Sequence, residues 1–133
     1  MAALALIPDN ETVYRGMSKS SWCRQGIVTF EAFLLRPATV LHPVPEAELS
    51  LGRSAASAVN ELNKHYGAAA LSVGAVHALA HNLRILPDAN EATKAEMHGL
   101  PLFSTDPAQR DLAVTMATDL ADLATWVPVP PAN

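Results

Sequence analysis

Ten prolines occur in this 133-residue chain, and they limit where a helix or a strand can continue. A proline lacks a backbone N–H and has a fixed φ angle, so it is excluded from helix interiors and from the middle of a sheet. Pro37, Pro43 and Pro45 follow one another closely, and residues 37 to 48 are therefore predicted to form a surface loop. The chain is expected to combine short strands with a few helices.

Several segments have the composition of strands. Ile27 to Leu35 alternates two sets of mostly apolar side chains, which predicts a central strand that is covered on both faces. Ala68 to Ser72 is a candidate for a connector or a strand, and Trp126 to Val129 for a short final strand. The four main strand predictions are residues 12 to 15, 27 to 35, 83 to 86 and 95 to 103.

Helical periodicity occurs in two longer segments. From about residue 50 to 66, apolar residues recur at the spacing of one helical face. The second segment runs from residue 107 to about 125, where the apolar residues again form one stripe. Asp106 suits the N-cap of this helix, Pro107 suits its first position, and Gln109 completes an arrangement like a capping box.

These elements predict one α+β domain over residues 1–133, in which two main helices, at about 50–66 and 107–125, pack on a small mixed or mainly antiparallel sheet. The length is typical of one domain. A hydrophobic content of 50% with 17% charged residues excludes a disordered chain. The longest apolar run falls well short of the roughly 20 residues that cross a bilayer, so no membrane association is expected.

The charge balance argues against nucleic acid as a partner. The formal net charge is −4, and the nine lysines and arginines are scattered along the chain. Cys23 is the only cysteine, so neither an intrachain disulfide nor a zinc site with paired cysteines can form. A single free thiol is consistent with a reducing compartment, and the expected location is the cytoplasm.

One pair of short phrases resembles a known enzyme family. Tyr14-Arg15-Gly16 on an early strand, with Ser104-Thr105 after a later strand, resembles the first two elements of the Arg-Ser-Glu ADP-ribosyltransferases. The resemblance implies that Arg15 binds an NAD phosphate and that Ser104 and Thr105 shape the nicotinamide pocket. The glutamate of that family has no counterpart, because no Glu follows Glu96. Ser104-Thr105 is also explained as part of a helix cap.

Three other candidates were weighed against plain structural roles. Cys23 is either an activated thiol or a small buried apolar residue. His77 and His81 have the spacing of metal ligands on one helical face, but they equally suit the end of a short helix. Glu31, in an apolar segment, would need a partner if it points inward, and a pair with Arg15 would then be the first site to inspect. No metal site and no resident cofactor are expected.

A second resemblance covers most of the chain loosely. Val13-Tyr14-Arg15, an Ala-rich helix, and Ala95-Glu96-Met97-His98-Gly99-Leu100-Pro101 ahead of a long terminal helix resemble a set of short uncharacterised bacterial proteins. Those proteins carry a phrase similar to His-Ala-Glu-Ile-x-Gly-Leu-Pro, and Lys94 stands where their histidine would be. The resemblance implies a self-contained bacterial domain and no particular activity.

The function favoured by the sequence is that of a non-catalytic accessory or binding protein, which acts through a protein partner or by self-association. The apolar composition is high for this size, and exposed apolar area usually marks a contact surface. The alternative is a small enzyme that handles NAD or another nucleotide, intact or degenerate, with Arg15, Ser104 and Thr105 as cofactor-binding residues.

Overall fold

The computed structural model describes residues 6–37, 39–41 and 43–130. The strands are β1 (Thr12–Gly16), β2 (Cys23–Arg24), β3 (Ile27–Val28), β4 (Leu49–Gly52), β5 (Ala68–Ser72), β6 (Arg84–Pro87), β7 (Lys94–His98) and β8 (Thr125–Val127). The helices are α1 (Ala55–Val59), α2 (Val73–Ala78) and α3 (Pro107–Leu123), and Ser20–Trp22 and Phe30–Phe33 form 3-10 turns.

Six of the strands form one antiparallel sheet in the order β6-β7-β4-β1-β5-β8, and β2 and β3 form a separate hairpin. Side chains alternate along β1, so those of Val13 and Arg15 point to one face of the sheet, and a Cβ atom on Gly16 would point to the other face. The first face carries the 3-10 turn at Phe30–Phe33, against which α3 packs, while α1 lies on the second face. This architecture confirms the predicted α+β class with its mainly antiparallel sheet.

The hydrophobic core lies between the sheet and the layer formed by α3 and the turn at Phe30–Phe33. Every strand of the large sheet except the edge strand β8 contributes fully buried apolar side chains to it. The largest fully buried side chains among the described residues, on strands, helices and loops together, are Phe33, Met17, Leu35, Leu49, Leu51, Leu71, Ile85, Met97 and Leu120.

Helix α3 confirms the prediction for residues 107 to about 125. The carboxylate of Asp106 accepts a hydrogen bond from the Gln109 N–H at 2.9 Å, and Pro107 occupies the first turn. The side chains that α3 buries recur at intervals of three and four residues, as in a one-sided helix; they are Ala113, Met116, Ala117 and Leu120. Short-range chemistry alone accounts for both the start and the buried face of this helix.

The helix predicted over residues 50–66 is much shorter than expected. Its first part is strand β4, in which Leu49 and Leu51 are paired with Met97 and Ala95 of β7. A capping box between Ser54 and Ser57 then starts α1, which ends at Val59. The apolar spacing over 50–66 fits a helix, but residues 50–52 belong to β4, which pairs with the distant strand β7.

The end of α1 is held by a residue that is remote in sequence. The Lys94 ammonium group on β7 donates to the Ser57 carbonyl and, at 2.9 Å, to the side-chain oxygen of Asn60. A cation at the C-terminus of a helix satisfies carbonyl groups that have no partner within it. Lys94 therefore helps to end α1 after little more than one turn.

The central strand predicted from Ile27 to Leu35 is also wrong. Only Ile27 and Val28 form a strand, β3; they pair with β2 across a turn in which Gln25 and Gly26 have φ angles of 55° and 77°. The Thr29 N–H donates to the Trp22 carbonyl at 2.9 Å, and a 3-10 turn follows at once. A turn that buries two of its residues gives the same apolar pattern as a short strand with two covered faces.

The remaining strand predictions agree more closely with the structure. Residues 12 to 15 and 83 to 86 correspond to β1 and β6, and the weaker candidate Ala68 to Ser72 is β5, an inner strand of the sheet. The segment 95 to 103 is extended only as far as His98, because Gly99 turns away with a φ of 109°.

Candidate functional site

The proline-rich segment of residues 36–46, called here the apolar loop, presents large apolar side chains to solvent. Val40, Leu41 and Val44 are 99%, 86% and 78% exposed. Isolated exposed apolar residues are common, but three on one short loop form a concentrated apolar surface. Ala38 and His42 lie outside the described residues.

The base of the apolar loop is closed by contacts between its first and last residues. The Arg36 N–H donates to the Glu46 carboxylate at 2.7 Å, and the Glu46 N–H donates to the Arg36 carbonyl at 3.1 Å. The two side chains also form an ion pair, with 3.4 Å between Arg36 Nε and Glu46 Oε1. These contacts join the two ends, so the tip projects from a defined base.

Arg15 connects the two chain segments that lead into and out of the apolar loop. Its Nε donates to the Ala32 carbonyl at 2.9 Å, and its Nη1 donates to the Ser50 carbonyl at 3.1 Å. Ala32 lies before the loop in the chain and Ser50 lies after it. The guanidinium carbon also lies 5.2 Å from the centre of the Trp22 ring, a cation–π arrangement. The Arg15 side chain, on the inner strand β1, thus holds together the segments that precede and follow the loop.

The Arg15 side chain is a buried charge. The residue is only 9% exposed, and burial lowers the pKa of Arg15 from its usual range to about 10. The negative charge of Glu46 opposes this lowering of the pKa, whereas the positive charge of Arg36 adds to it. A pKa of about 10 still leaves the guanidinium protonated at neutral pH. The charged group depends on its carbonyl acceptors, because water is largely excluded from it.

The anticipated pair between Arg15 and Glu31 does not form among the described residues. Glu31 is half-buried and follows the first residue of the 3-10 turn. The carboxylate whose charge acts on Arg15 belongs to Glu46. The sequence contained one usable signal for this role of Glu46, namely an acidic residue at the far end of a proline-rich loop that begins with Arg36.

Ser104 and Thr105 belong to the loop that starts α3. The Ser104 hydroxyl accepts a hydrogen bond from the Asp106 N–H at 3.3 Å, and Thr105 is exposed. Among the described residues no hydrogen bond links either residue to Arg15, whose Nε and Nη1 are bound to main-chain carbonyls. An NAD site made of Arg15, Ser104 and Thr105 stays a prediction.

The two histidines of the predicted metal spacing bind different carboxylates. His77 Nδ1 lies 2.8 Å from Asp9 Oδ1, and His81 Nε2 lies 2.7 Å from Asp119 Oδ2. Helix α2 ends at Ala78, between the two rings, so they do not share a helical face. In residues 6–37, 39–41 and 43–130, no group of three or more His, Cys, Asp or Glu side chains could hold a metal ion.

His77 protects one edge of the large sheet. On the edge strand β6, the Ile85 N–H donates to His77 Nε2 at 3.1 Å, and the Ile85 carbonyl accepts from the Ile7 N–H at 2.9 Å. Since Nε2 of His77 accepts a hydrogen bond, the ring proton is on Nδ1, and this N–H donates a hydrogen bond to the Asp9 carboxylate. The outer polar groups of Ile85, which would otherwise pair with another strand, are satisfied within the chain.

Replacing His77 with alanine is expected to lower the free energy of unfolding by about 2 kcal/mol, because it leaves the buried Ile85 N–H without an acceptor. Urea unfolding monitored by circular dichroism measures the change. His98→Ala is the matched control: the His98 ring is half-buried and lies 3.3 Å from the Glu96 carboxylate, with no main-chain hydrogen-bond partner among the described residues, so a change below about 0.5 kcal/mol is expected. Equal effects of the two substitutions would show that the edge contact contributes nothing.

Cys23 and His65 line the same cavity, which has a volume of about 340 Å³ and also includes Trp126. The thiol is half-buried. His65 Nδ1 accepts a hydrogen bond from the Gly67 N–H at 3.1 Å, so the one lone pair of the neutral ring is already used. The ring is therefore not free to act as the base that an activated thiol requires.

Comparison with known proteins gives no match to a protein-family model, a curated protein or a solved structure. None of the described helices is long and apolar enough to cross a membrane. Among the described residues, the apolar loop has the highest concentration of exposed large apolar side chains, and the buried Arg15 lies beneath it.

Proposed function

We propose that this protein is a non-catalytic binding protein that docks on a partner protein through the apolar loop. The observation that carries the proposal is the exposure of Val40, Leu41 and Val44, at 78% or more, on a loop whose base is tied by ion pairing and main-chain hydrogen bonds. A tied base lowers the entropy that is lost when the loop is held by a partner, and burying the tip supplies the binding energy.

The shape and charge of the loop indicate what kind of partner it fits. Side chains as exposed as Val40 and Leu41 project outward, so the complementary surface is an apolar groove. Arg36 is the only lysine or arginine between residues 36 and 46, and its charge is paired with Glu46. The loop thus lacks the cluster of cations that draws proteins to anionic lipid, which favours a protein partner.

A different protein is favoured over a second copy of this chain. In a two-fold dimer the same patch on both copies must be self-complementary. A projecting loop meets its own copy tip to tip, which buries little of the apolar area. A grooved partner surrounds the tip and buries all three side chains.

The proposal is tested with two variants of matched chemistry. Val40→Ser combined with Leu41→Ser removes most of the apolar tip, whereas Ile27→Ser changes a residue that is 69% exposed on β3. The partner is captured from cells that make the protein, identified by mass spectrometry, purified and titrated against each form by calorimetry. The double variant is expected to bind at least about 20-fold more weakly, and Ile27→Ser as tightly as the unmodified protein.

Three results would overturn the proposal. The first is a purified partner that binds the double variant with unchanged affinity. The second is a concentration-dependent dimer, measured by light scattering, that the double variant abolishes, since this would assign the loop to self-association. The third is flotation of the protein with vesicles of phosphatidylcholine and phosphatidylglycerol, abolished by the same variant, which would assign the loop to lipid.

A further inference from the structure

We infer that a cavity beside α3 binds a small uncharged molecule with an apolar body and one hydrogen-bond donor. The cavity has a volume of about 450 Å³, within the range of about 300–1,000 Å³ that is usual for ligand sites. It lies between residues 80–82, the turn at 99–101 and one side of α3. This site is separate from the apolar loop, so the inference does not depend on the proposed function.

Apolar side chains from α3 and from the turn at 99–101 form part of the cavity wall. Leu100 and Met116 are buried core residues that reach the cavity from the turn and from α3. Leu112, one turn before Met116, is 50% exposed, so half of a leucine side chain is open to solvent at the cavity. An apolar molecule that covers this side chain removes it from water, which favours binding.

His81 is one of two polar side chains that line the cavity, with Asn82, and the protonation pattern of its ring follows from its contact with Asp119. His81 Nε2 lies 2.7 Å from Asp119 Oδ2. An ionised carboxylate only accepts hydrogen bonds, so the neutral ring carries its proton on Nε2 and keeps a lone pair on Nδ1. No described residue donates a hydrogen bond to Nδ1. A ligand that donates a proton to this nitrogen therefore finds an acceptor whose tautomer is already set.

Charge at the cavity favours an uncharged donor over an anion. None of the described residues that line the cavity is a lysine or an arginine. The carboxylate of Asp119, which lies 2.7 Å from His81 Nε2, repels an anion bound at His81. A hydroxyl group on an apolar body, as in a phenol or a branched alcohol, satisfies the acceptor and covers Leu112.

A glycine permits the close approach of the two loops that form the cavity. Gly99 has a φ of 109°, and a Cβ atom built on it would lie 3.1 Å from the Asn82 carbonyl oxygen and 3.4 Å from the Leu83 side chain. A side chain at this position would be strained in its backbone and crowded by its neighbours. The loops that carry His81 and Leu100 are consequently close enough to share one cavity.

The experiment titrates the full-length protein with phenol, benzoate and toluene, three probes of similar ring size, and follows backbone amide shifts by NMR. Phenol is expected to shift the amides of residues 80–82 and those of Gly99 and Leu100. Toluene, which lacks the donor, is expected to bind about fivefold to tenfold more weakly, as the loss of one hydrogen bond predicts. Benzoate is expected to bind more weakly than phenol by a similar factor.

Two variants assign the binding to His81. His81→Ala is expected to reduce phenol affinity to that of toluene, whereas the control His98→Ala, which changes a histidine that does not line the cavity, leaves it unchanged. In Asp119→Asn the amide can either accept from or donate to His81 Nε2, so the ring tautomer is no longer set, and the carboxylate charge is removed. The preference for phenol over benzoate is therefore expected to shrink. Both variants keep the amide shifts of the sheet if the fold is intact.

The inference is overturned by any of three results. They are unchanged amide shifts at residues 80–82, Gly99 and Leu100 with millimolar phenol, equal affinity for phenol and benzoate in the unmodified protein, and a folded His81→Ala variant that retains its preference for phenol over toluene.

Discussion

Gly16→Ala is expected to lower the free energy of unfolding by about 3 kcal/mol or more, the largest effect of a single methyl group in this protein. A Cβ atom built on Gly16 would overlap the Ala58 carbonyl oxygen and would lie 2.9 Å from the Ala58 carbonyl carbon. Both atoms belong to the backbone of α1, so no side-chain rotation relieves the overlap. The helix would have to move away from β1.

The short helix α1 depends on two glycines of the sheet. A Cβ atom on Gly52 would lie 2.7 Å from both the Ala58 Cα and the Ser57 hydroxyl oxygen. Gly16 on β1 and Gly52 on β4 therefore let the backbone of α1 approach the sheet directly. Since α1 has only five residues and cannot be stable alone, its loss is expected to accompany the overlap.

Gly26→Ala provides the matched control for Gly16→Ala. The nearest atom to a Cβ on Gly26 is 3.9 Å away, so only the left-handed φ of 77° opposes the alanine, at a cost of about 1 kcal/mol. Urea unfolding of the two variants and of the unmodified protein measures both values. A smaller loss for Gly16→Ala than for Gly26→Ala would contradict the close contact between α1 and β1.

Arg15→Ala is expected to destabilise the protein by about 3 kcal/mol and to loosen the apolar loop. The substitution removes the donors to the Ala32 and Ser50 carbonyls and leaves a cavity beside the Trp22 ring. Arg24→Ala, at an exposed position of β2, is the control and is expected to change stability by less than about 0.5 kcal/mol.

Hydrogen exchange separates the loop effect from the global one. The amides of Arg36 and Glu46 are hydrogen-bonded across the base of the loop and are expected to lose protection in Arg15→Ala by more than the drop in global stability alone allows. Partner binding through the loop should weaken in parallel. If both amides keep their protection while the rest of the molecule is destabilised, Arg15 stabilises the core and does not position the loop.

The elements that the sequence predicted well are those whose causes are local. The start of α3 needs only Asp106, Pro107 and Gln109, and its buried stripe repeats within the helix itself. The proline-rich stretch was recognised as a loop because each proline restricts its own backbone and that of the residue before it.

The errors fell where a distant contact decided the structure. Leu51 has the spacing of a helical residue, but it is extended because Ala95 lies beside it on β7. Phe33 has the spacing of a strand residue, but it lies in a 3-10 turn that packs against α3. In both segments the apolar pattern is compatible with helix and with strand, so packing against a neighbour selected between them.

In the candidate site, too, the sequence indicated a residue, whereas distant contacts decided its role. Arg15 was singled out from the sequence, but as a ligand for a phosphate; its two carbonyl partners and its position beneath the apolar loop depend on residues that are distant along the chain. No local pattern identifies which main-chain carbonyl a buried guanidinium will meet.

By itself, the sequence determined the α+β class, the prolines that end the segments, and the capped helix at the C-terminal end, because these depend on backbone propensity and short-range hydrogen bonds. The tertiary structure alone decided the strand order and the short length of α1, which packs on Gly16 and Gly52. It also decided the hydrogen bonds by which Arg15 joins the segments on both sides of the apolar loop. Those features arise from contacts between residues far apart in the chain, and their energies exceed local preferences that differ by less than about 1 kcal/mol per residue.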